Sequence, residues 1–240
     1  MKFSILTKNI ISKEKKGEAI TSSTYPKDTY LDSEIIKKLK DIERFTNNEG
    51  FLTKKSGAVG WEYAVSLYFL IDKIYISKPI SGNYSSVNVG GGARVHPIYS
   101  QDNSNVKFEL EIGDLKQITK NYKTKDLGSE IRFGKAATFH THPKFYHDEN
   151  TYQYGFFSHA DISSLLYGNS SVLGLIAGNN LWLACKTNDS RMIPNELLSE
   201  ASRQEVISGV ESMKNFVSSN LNEYGIIFFF GSFGGKLKRV

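Results

Sequence analysis

Apolar positions along the chain repeat at two periods, and their order outlines the elements. Between Asp32 and Phe45, Ile35, Ile36, Leu39 and Ile42 recur at three- and four-residue spacing. That spacing predicts a helix, capped by Asp32 or Ser33 and stopped by Asn47, Asn48 and Gly50. WEYAVSLYFL (61–70) and KIYISKPI (73–80) are apolar runs of strand length and predict a strand pair. NVKFELEIG (105–113) alternates as a half-buried strand, and GDLKQITKNYK after it is expected to form a short helix. GKAATFHTH reads as a strand that Pro143 ends, and SHADISSLLYG as a short helix opened by Ser158. VLGLIAGNNLWLACKT predicts two strands turning at Asn179-Asn180. Residues 195–221 carry the clearest amphipathic pattern, one helix turning Leu198, Ala201, Val206, Val210, Met213, Phe216 and Val217 inward. YGIIFFFGSF predicts a last strand. Residues 1–30 alternate weakly through Phe3, Ile5, Leu6, Ile10 and Ile11, and are expected to be an N-terminal extension, a strand and linker, ahead of a domain over 31–240.

Strands and helices mix without strict alternation, which makes the expected class α/β, an α+β mixed sheet flanked by helices. A length of 240 residues suits one domain with additions. Thirty Lys and Arg stand against 25 Asp and Glu, and the resulting +5 is spread along the chain. A dispersed charge predicts solvated faces and no nucleic-acid partner. Cys185 is the single cysteine, which excludes an intramolecular disulfide and a cysteine-based zinc ribbon. MKFSILTKNIISKEKK has no apolar run of signal-peptide length, and GIIFFF is too short to span a bilayer. A cytoplasmic location without a membrane partner is the expectation. The GGG of SGNYSSVNVGGGAR is not followed by the Lys-Ser/Thr of a phosphate loop and predicts a flexible loop; GSFGGK (231–236) leaves no room for a following helix.

Four of the five histidines fall in TFHTHPKFYHDENTYQYGFFSHADI (138–162). In a strand, residues i and i+2 share a face, so His140 and His142 point together while Phe139 and Thr141 turn away. Two same-face imidazoles are the start of a zinc site. Ser158-His159-Ala160-Asp161 is compatible with a plain capping box, yet it also puts a carboxylate beside the pair. Asp161 completes the three protein ligands that a catalytic zinc needs beside one open position. A general base is then required to take a proton from water. Glu62 is the candidate, because it opens an apolar strand where a charge is otherwise awkward; its bland alternative is a solvent-facing strand end. Glu109 and Glu111 are the reserve carboxylates. His96 and His147 lack a partner set and read as solvated or locally hydrogen-bonded.

The order of these residues resembles the JAMM motif of the JAB/MPN metalloprotease family: a helix, a glutamate opening a strand, further strands, His-Thr-His-Pro ending a strand, and Ser-x-x-Asp opening a helix. The resemblance runs from about residue 33 to residue 190, with WEYAVSLYFL similar to the family's glutamate strand and FGKAATFHTHP similar to its approach to the histidines. It implies a JAB/MPN, cytidine-deaminase-like architecture with N-terminal and loop additions, and one zinc ion per chain on His140, His142 and Asp161. It further implies that Glu62 moves a proton from water to the leaving amine and that Ser158 donates to the oxyanion. The implied activity is that of a deubiquitinase-like isopeptidase, hydrolysing isopeptide or peptide bonds of a ubiquitin-like protein or peptide substrate. A non-catalytic interaction module of the same fold and a zinc amidase on a non-protein amide are the alternatives.

The sequence departs from the family at residues 144–157, which fill a gap usually closed by a short loop. This insertion is rich in rings, with Phe145, Tyr146, Tyr152, Tyr154, Phe156 and Phe157 around a polar HDEN centre. Both of its ends adjoin residues of the site, so these rings are expected to grip an extended substrate or cover the metal. The bland alternative is that they pack on the domain and anchor the insertion.

Overall fold

The computed structural model of the chain describes residues 1–48, 61–83, 87, 93–127, 133–147, 150–153 and 155–240; of residues 47, 48, 144–147 and 150–153 it describes the backbone. The first element corrects the expectation for residues 1–30. It is a helix, α1 (Phe3–Lys15), burying Phe3, Leu6, Thr7, Ile10 and Ile11. Those positions are three, four, seven and eight apart, which is helical spacing that a weak alternation concealed. The Asp32 carboxylate accepts from the Ser4 backbone N–H at 3.0 Å and its hydroxyl at 2.9 Å, closing the first turn. Strand β1 (Asp28–Tyr30) follows, then α2 (Ser33–Asn48), with Ile35, Leu39 and Ile42 buried as the spacing predicts. Thus the first 30 residues share the core of the rest of the chain.

Strands β2 (Tyr63–Leu70) and β3 (Lys73–Ile76) form the expected pair, and the two-residue β4 (Ile80–Ser81) joins the far end of β2. The GGG stretch lies outside the described residues. A second, small sheet comes next: β5 (Ala93–Tyr99), β6 (Asn105–Ile112), β7 (Leu115–Ile118) and β8 (Tyr122–Lys123). Strand β6 alternates as expected, burying Val106, Phe108, Leu110 and Ile112. GDLKQITKNYK is corrected from helix to strand. Gly113, at φ +54°, opens a tight reversal that pairs Ile112 with Leu115, and the segment then follows period two.

Strand β9 (Phe133–Thr141) carries the histidine pair, and the insertion after it folds into a two-stranded ribbon, β10 (Lys144–His147) and β11 (Asn150–Gln153). Helix α3 (His159–Tyr167) and strands β12 (Val172–Ala177) and β13 (Asn180–Cys185) follow as predicted. The β12–β13 turn is one residue earlier than expected, at Gly178-Asn179, because glycine supplies the positive φ there (+57°). The predicted long helix is two, α4 (Asn195–Ser208) and α5 (Val210–Asn220), broken at Gly209 with φ +82°. Each helix has its own buried stripe, Leu198 and Ala201 in α4 and Met213 and Val217 in α5, and Val206 on α4 is 54% exposed instead of inward. Strand β14 (Ile227–Ser232) turns through GSFGGK into a strand the apolar pattern did not signal, β15 (Lys236–Arg239).

The protein is a mixed α/β fold. Its main sheet runs β1-β15-β14-β13-β12-β9-β2-β3, with β9 and β12 parallel and the other neighbours antiparallel. One face is closed by α1 and α2 over Val65, Phe69, Phe139, Ile176 and Leu183. The other face is covered in two places. Helices α3, α4 and α5 cover Leu173, Leu175, Trp182 and Phe228, while the small sheet covers Tyr68 and Leu70. The histidines lie between these covers. Among the described residues no helix is long and apolar enough to cross a membrane.

Candidate metal centre

The antiparallel register of β2 on β9 pairs Ala64 with His140. Continuing it by two residues sets Glu62 opposite His142, on the face the two histidines share. Two backbone hydrogen bonds of 2.8 Å, Glu62 N–H to the Asn83 carbonyl and Gly82 N–H to the Glu62 carbonyl, hold Glu62 at the head of the strand. The pair on β9 is tied from the other side, where His142 N–H donates to the Ile176 carbonyl at 3.2 Å. Pro143 then releases the chain into the ribbon.

Ser158 opens α3 as expected, and the capping box is present. The serine hydroxyl accepts from Asp161 N–H at 3.2 Å, and Ser158 N–H donates to Asp161 Oδ2 at 2.8 Å. The same hydroxyl lies 2.7 Å from Oδ2. Oδ2 is therefore engaged at the helix start, and Oδ1 is turned to His140, 3.1 Å from its Nε2. The capping and ligand readings of Ser158-x-x-Asp161 describe one arrangement.

His140 Nε2 and His142 Nε2 are 3.3 Å apart, and His142 Nε2 is 3.5 Å from Asp161 Oδ2. Metal–ligand bonds of about 2.0–2.1 Å around a tetrahedral ion separate neighbouring donors by about 3.3–3.4 Å. The two imidazoles present that edge length, and with Asp161, one ligand atom from each within 4.8 Å of the others, the three residues can hold one metal ion. Both histidines are buried, at 3% and 7% exposure, so these nitrogens are shielded from bulk water.

The two carboxylates of the site are pushed apart in acidity. Burial raises the Glu62 carboxyl above its ordinary value, against the pull of His142 and His140. Burial also opposes ionisation of Asp161, but the two imidazoles together hold it well below the carboxylate range. One group is suited to stay anionic beside a cation and the other to accept a proton.

Thr141, between the histidines, points to the closed face. Its Oγ1 accepts from Tyr63 N–H at 3.0 Å and contacts the Thr46 hydroxyl of α2, which in turn donates to the Ile42 carbonyl at 2.9 Å. Sequence reading passed over Thr141 and Thr46. The available signal was the turned-away position between two same-face ligands.

The expected gating rings divide. Phe156 and Phe157 are corrected to core residues, each 1% exposed. Phe156 stands edge-on to Trp182 at 5.0 Å, and Phe157 sits 6.5 Å from the His140 ring. Burial of that much apolar area outweighs any role at an opening. The side chains of Phe145, Tyr146, Tyr152 and Tyr154 lie outside the described residues. Glu109 and Glu111 are engaged by Lys116 on the small sheet, at 3.4 and 2.7 Å, and His96 lies 3.5 Å from Glu111.

Comparison of the chain with protein-family models, with curated proteins and with solved structures found no match. The chemistry of the site therefore rests on its own residues.

Proposed function

We propose that this chain is a zinc-dependent hydrolase of the JAMM type, cutting isopeptide or peptide bonds at a ubiquitin-like protein or peptide tail. The observation that carries the reading is the meeting of His140, His142 and Asp161, one ligand atom from each within 4.8 Å of the others, with Glu62 across the strand pair. Two imidazoles and one carboxylate fit zinc with an open position, and His140, His142 and Asp161 would hold it. Zinc bound there supplies Lewis acidity to the substrate carbonyl and to water. Glu62 takes the proton of the attacking water and returns it to the leaving amine. Burial holds its carboxyl above the ordinary carboxylate value, which makes it a better proton acceptor than an exposed glutamate. The Ser158 hydroxyl, which donates to Asp161 Oδ2 at 2.7 Å in the resting site, turns that proton to the oxyanion. The buried flanks, Phe157 behind His140 and Thr141 beneath, keep the imidazoles in one orientation.

The same donor set also suits iron(II) when further positions are open, so the first measurement is metal content of the purified chain. Zinc-loaded protein is then incubated with isopeptide-linked and linear fusions of ubiquitin-like proteins, with and without a chelator. Cleavage that the chelator abolishes and zinc restores is expected. A stoichiometric zinc protein that cleaves no amide would overturn the enzymatic reading in favour of a non-catalytic module, and iron in its place would overturn the hydrolase.

A further inference from the structure

Where β2 begins, ordinary strand pairing stops. The ladder with β9 ends at Ala64↔His140, yet the next residue, Tyr63, still directs its N–H at β9. A side chain meets it there. Thr141 Oγ1 accepts that N–H at 3.0 Å, in the place where a backbone carbonyl would continue the ladder. Tyr63 N–H donates to Thr141, the Thr141 and Thr46 hydroxyls meet, and the Ile42 carbonyl at 2.9 Å and the Tyr63 carbonyl at 3.4 Å stand ready to accept from Thr46 and Thr141, so each hydroxyl is satisfied. Both threonines are buried, at 1% and 2% exposure, so water does not compete for these bonds.

The consequence concerns Glu62. Its backbone is fixed on one side by Asn83 and Gly82. On the other side the nearest tie is its neighbour Tyr63, through Thr141. Thr141 also lies between His140 and His142 in sequence, on a strand whose opposite face holds both imidazoles. Beyond the last backbone pair, Ala64↔His140, the Thr141 hydroxyl continues the tie between the carboxylate strand and the histidine strand, and reaches through Thr46 to the last turns of α2.

We propose that Thr141, seconded by Thr46, is a positioning residue that sets Glu62 at its working distance from the His140–His142 pair. This inference rests on the hydrolase reading, because it assigns Glu62 a distance that matters for proton transfer. Thr141 touches no reacting atom. Its hydroxyl replaces a missing rung of the ladder and prevents the head of β2 from lifting away from β9.

The test uses Thr141→Val, which keeps shape and removes the hydroxyl, and Thr141→Ser, which keeps the hydroxyl. Zinc content, amide exchange at Tyr63 and steady-state kinetics are measured on the full chain. Thr141→Val is expected to keep its zinc, lose exchange protection at Tyr63, and lower kcat about 10- to 100-fold with KM unchanged, the cost of a small misplacement. Thr141→Ser should restore both. Wild-type protection at Tyr63 in the valine variant would overturn the inference, as would lost protection with unchanged kcat. Should Thr141→Val fail to fold, Thr46→Val carries the same test with a smaller expected loss. If the zinc-loaded wild type cleaves nothing, the hydrolase reading falls by itself. The visible spectrum of Co2+-loaded protein then decides the inference: Thr141→Val must shift the bands that Glu62→Gln shifts, and a wild-type spectrum overturns it.

Discussion

The two faces of strand β9 serve different ends within nine residues. On the closed face, Phe139 meets the Phe3 ring edge-on at 5.8 Å, and Thr141 is locked into a hydroxyl chain with α2. Every group there has a neighbour that fixes it. On the other face, which α3 to α5 and the small sheet cover in two places, His140 and His142 turn their Nε2 atoms toward Asp161. A face covered by one continuous layer can be packed to completion, whereas a face covered by two separate layers leaves a seam. Polar side chains survive in that seam because they satisfy one another, and a shared cation would satisfy them better. The closed face gives the rigidity, and the seam is where chemistry can occur.

The most severe break of this contrast is His142→Ala. It removes one donor from the seam and nothing from the closed face. The expected outcome is loss of the one zinc per chain and of all hydrolysis, with the fold retained by circular dichroism. Equal metal content in wild type and variant would remove His142 from the ligand set.

Glu62→Gln is next in size. The amide preserves shape and removes the base, so zinc is retained and kcat/KM drops by about 10²- to 10⁴-fold. The wild-type pH profile has a definite sign. Burial, against the pull of the two imidazoles, raises the Glu62 carboxyl above its ordinary 4.5. A base of raised pKa is lost as pH falls through that higher value, so activity declines on the acid side before ordinary carboxylates titrate. Loss of zinc from Glu62→Gln would make Glu62 a ligand and redraw the roles.

Legibility in the sequence followed the same contrast. The histidine pair was readable because strand geometry puts residues i and i+2 on one face whatever surrounds them. Asp161 was readable because a capping box fixes its place relative to Ser158 locally. Glu62 was readable as an awkward charge opening an apolar strand, but its place opposite His142 needed the register of β2 on β9, a long-range fact that its own strand does not encode. Local signals failed where tertiary context decided. Helix α1 hid because Ile5, at 48% exposure, sits outside its buried stripe and filled in a false alternation. Strand β5 hid because Arg94, His96 and Pro97 make an edge strand look like a loop. Gly209 carried the break between α4 and α5, yet a lone glycine in a helical pattern is ambiguous until its φ is known. Phe156 and Phe157 were readable as apolar but not as buried, since that depends on Trp182 and Phe228 waiting beneath them.

Ser158 sharpens the comparison from the edge of the seam, because it has a structural and a chemical role to separate. Ser158→Ala removes the cap and is expected to cost about 1 kcal/mol of stability. If the hydroxyl also serves the oxyanion, kcat falls by about 10²- to 10³-fold as well. Ser158→Asp separates the two, since aspartate caps as well as serine but its carboxylate has no proton to donate. Stability preserved with activity lost supports the oxyanion role. Activity that simply follows stability in both variants would leave Ser158 as a cap.

The smallest effect is expected on the closed face, from Gly174→Ala. Gly174 stands beside Phe139 in the parallel register of β12 on β9, and a Cβ there would lie 2.2 Å from the Phe139 ring. The ring is itself held by Phe3, so it has little room to withdraw. Overpacking of this kind costs about 1–3 kcal/mol. For a chain of this length each kcal/mol lowers Tm by about 2–4 °C. Zinc content should be unchanged, because the strain enters a face whose side chains point away from the metal ligands. Combining it with Phe139→Leu, which removes the clashing ring, should cost less than the sum of the two single changes. Additive costs would mean that the ring and the glycine do not meet. Lost zinc in Gly174→Ala would mean that the closed face and the seam are mechanically one unit, and the division between packing and chemistry drawn on β9 would have to be abandoned.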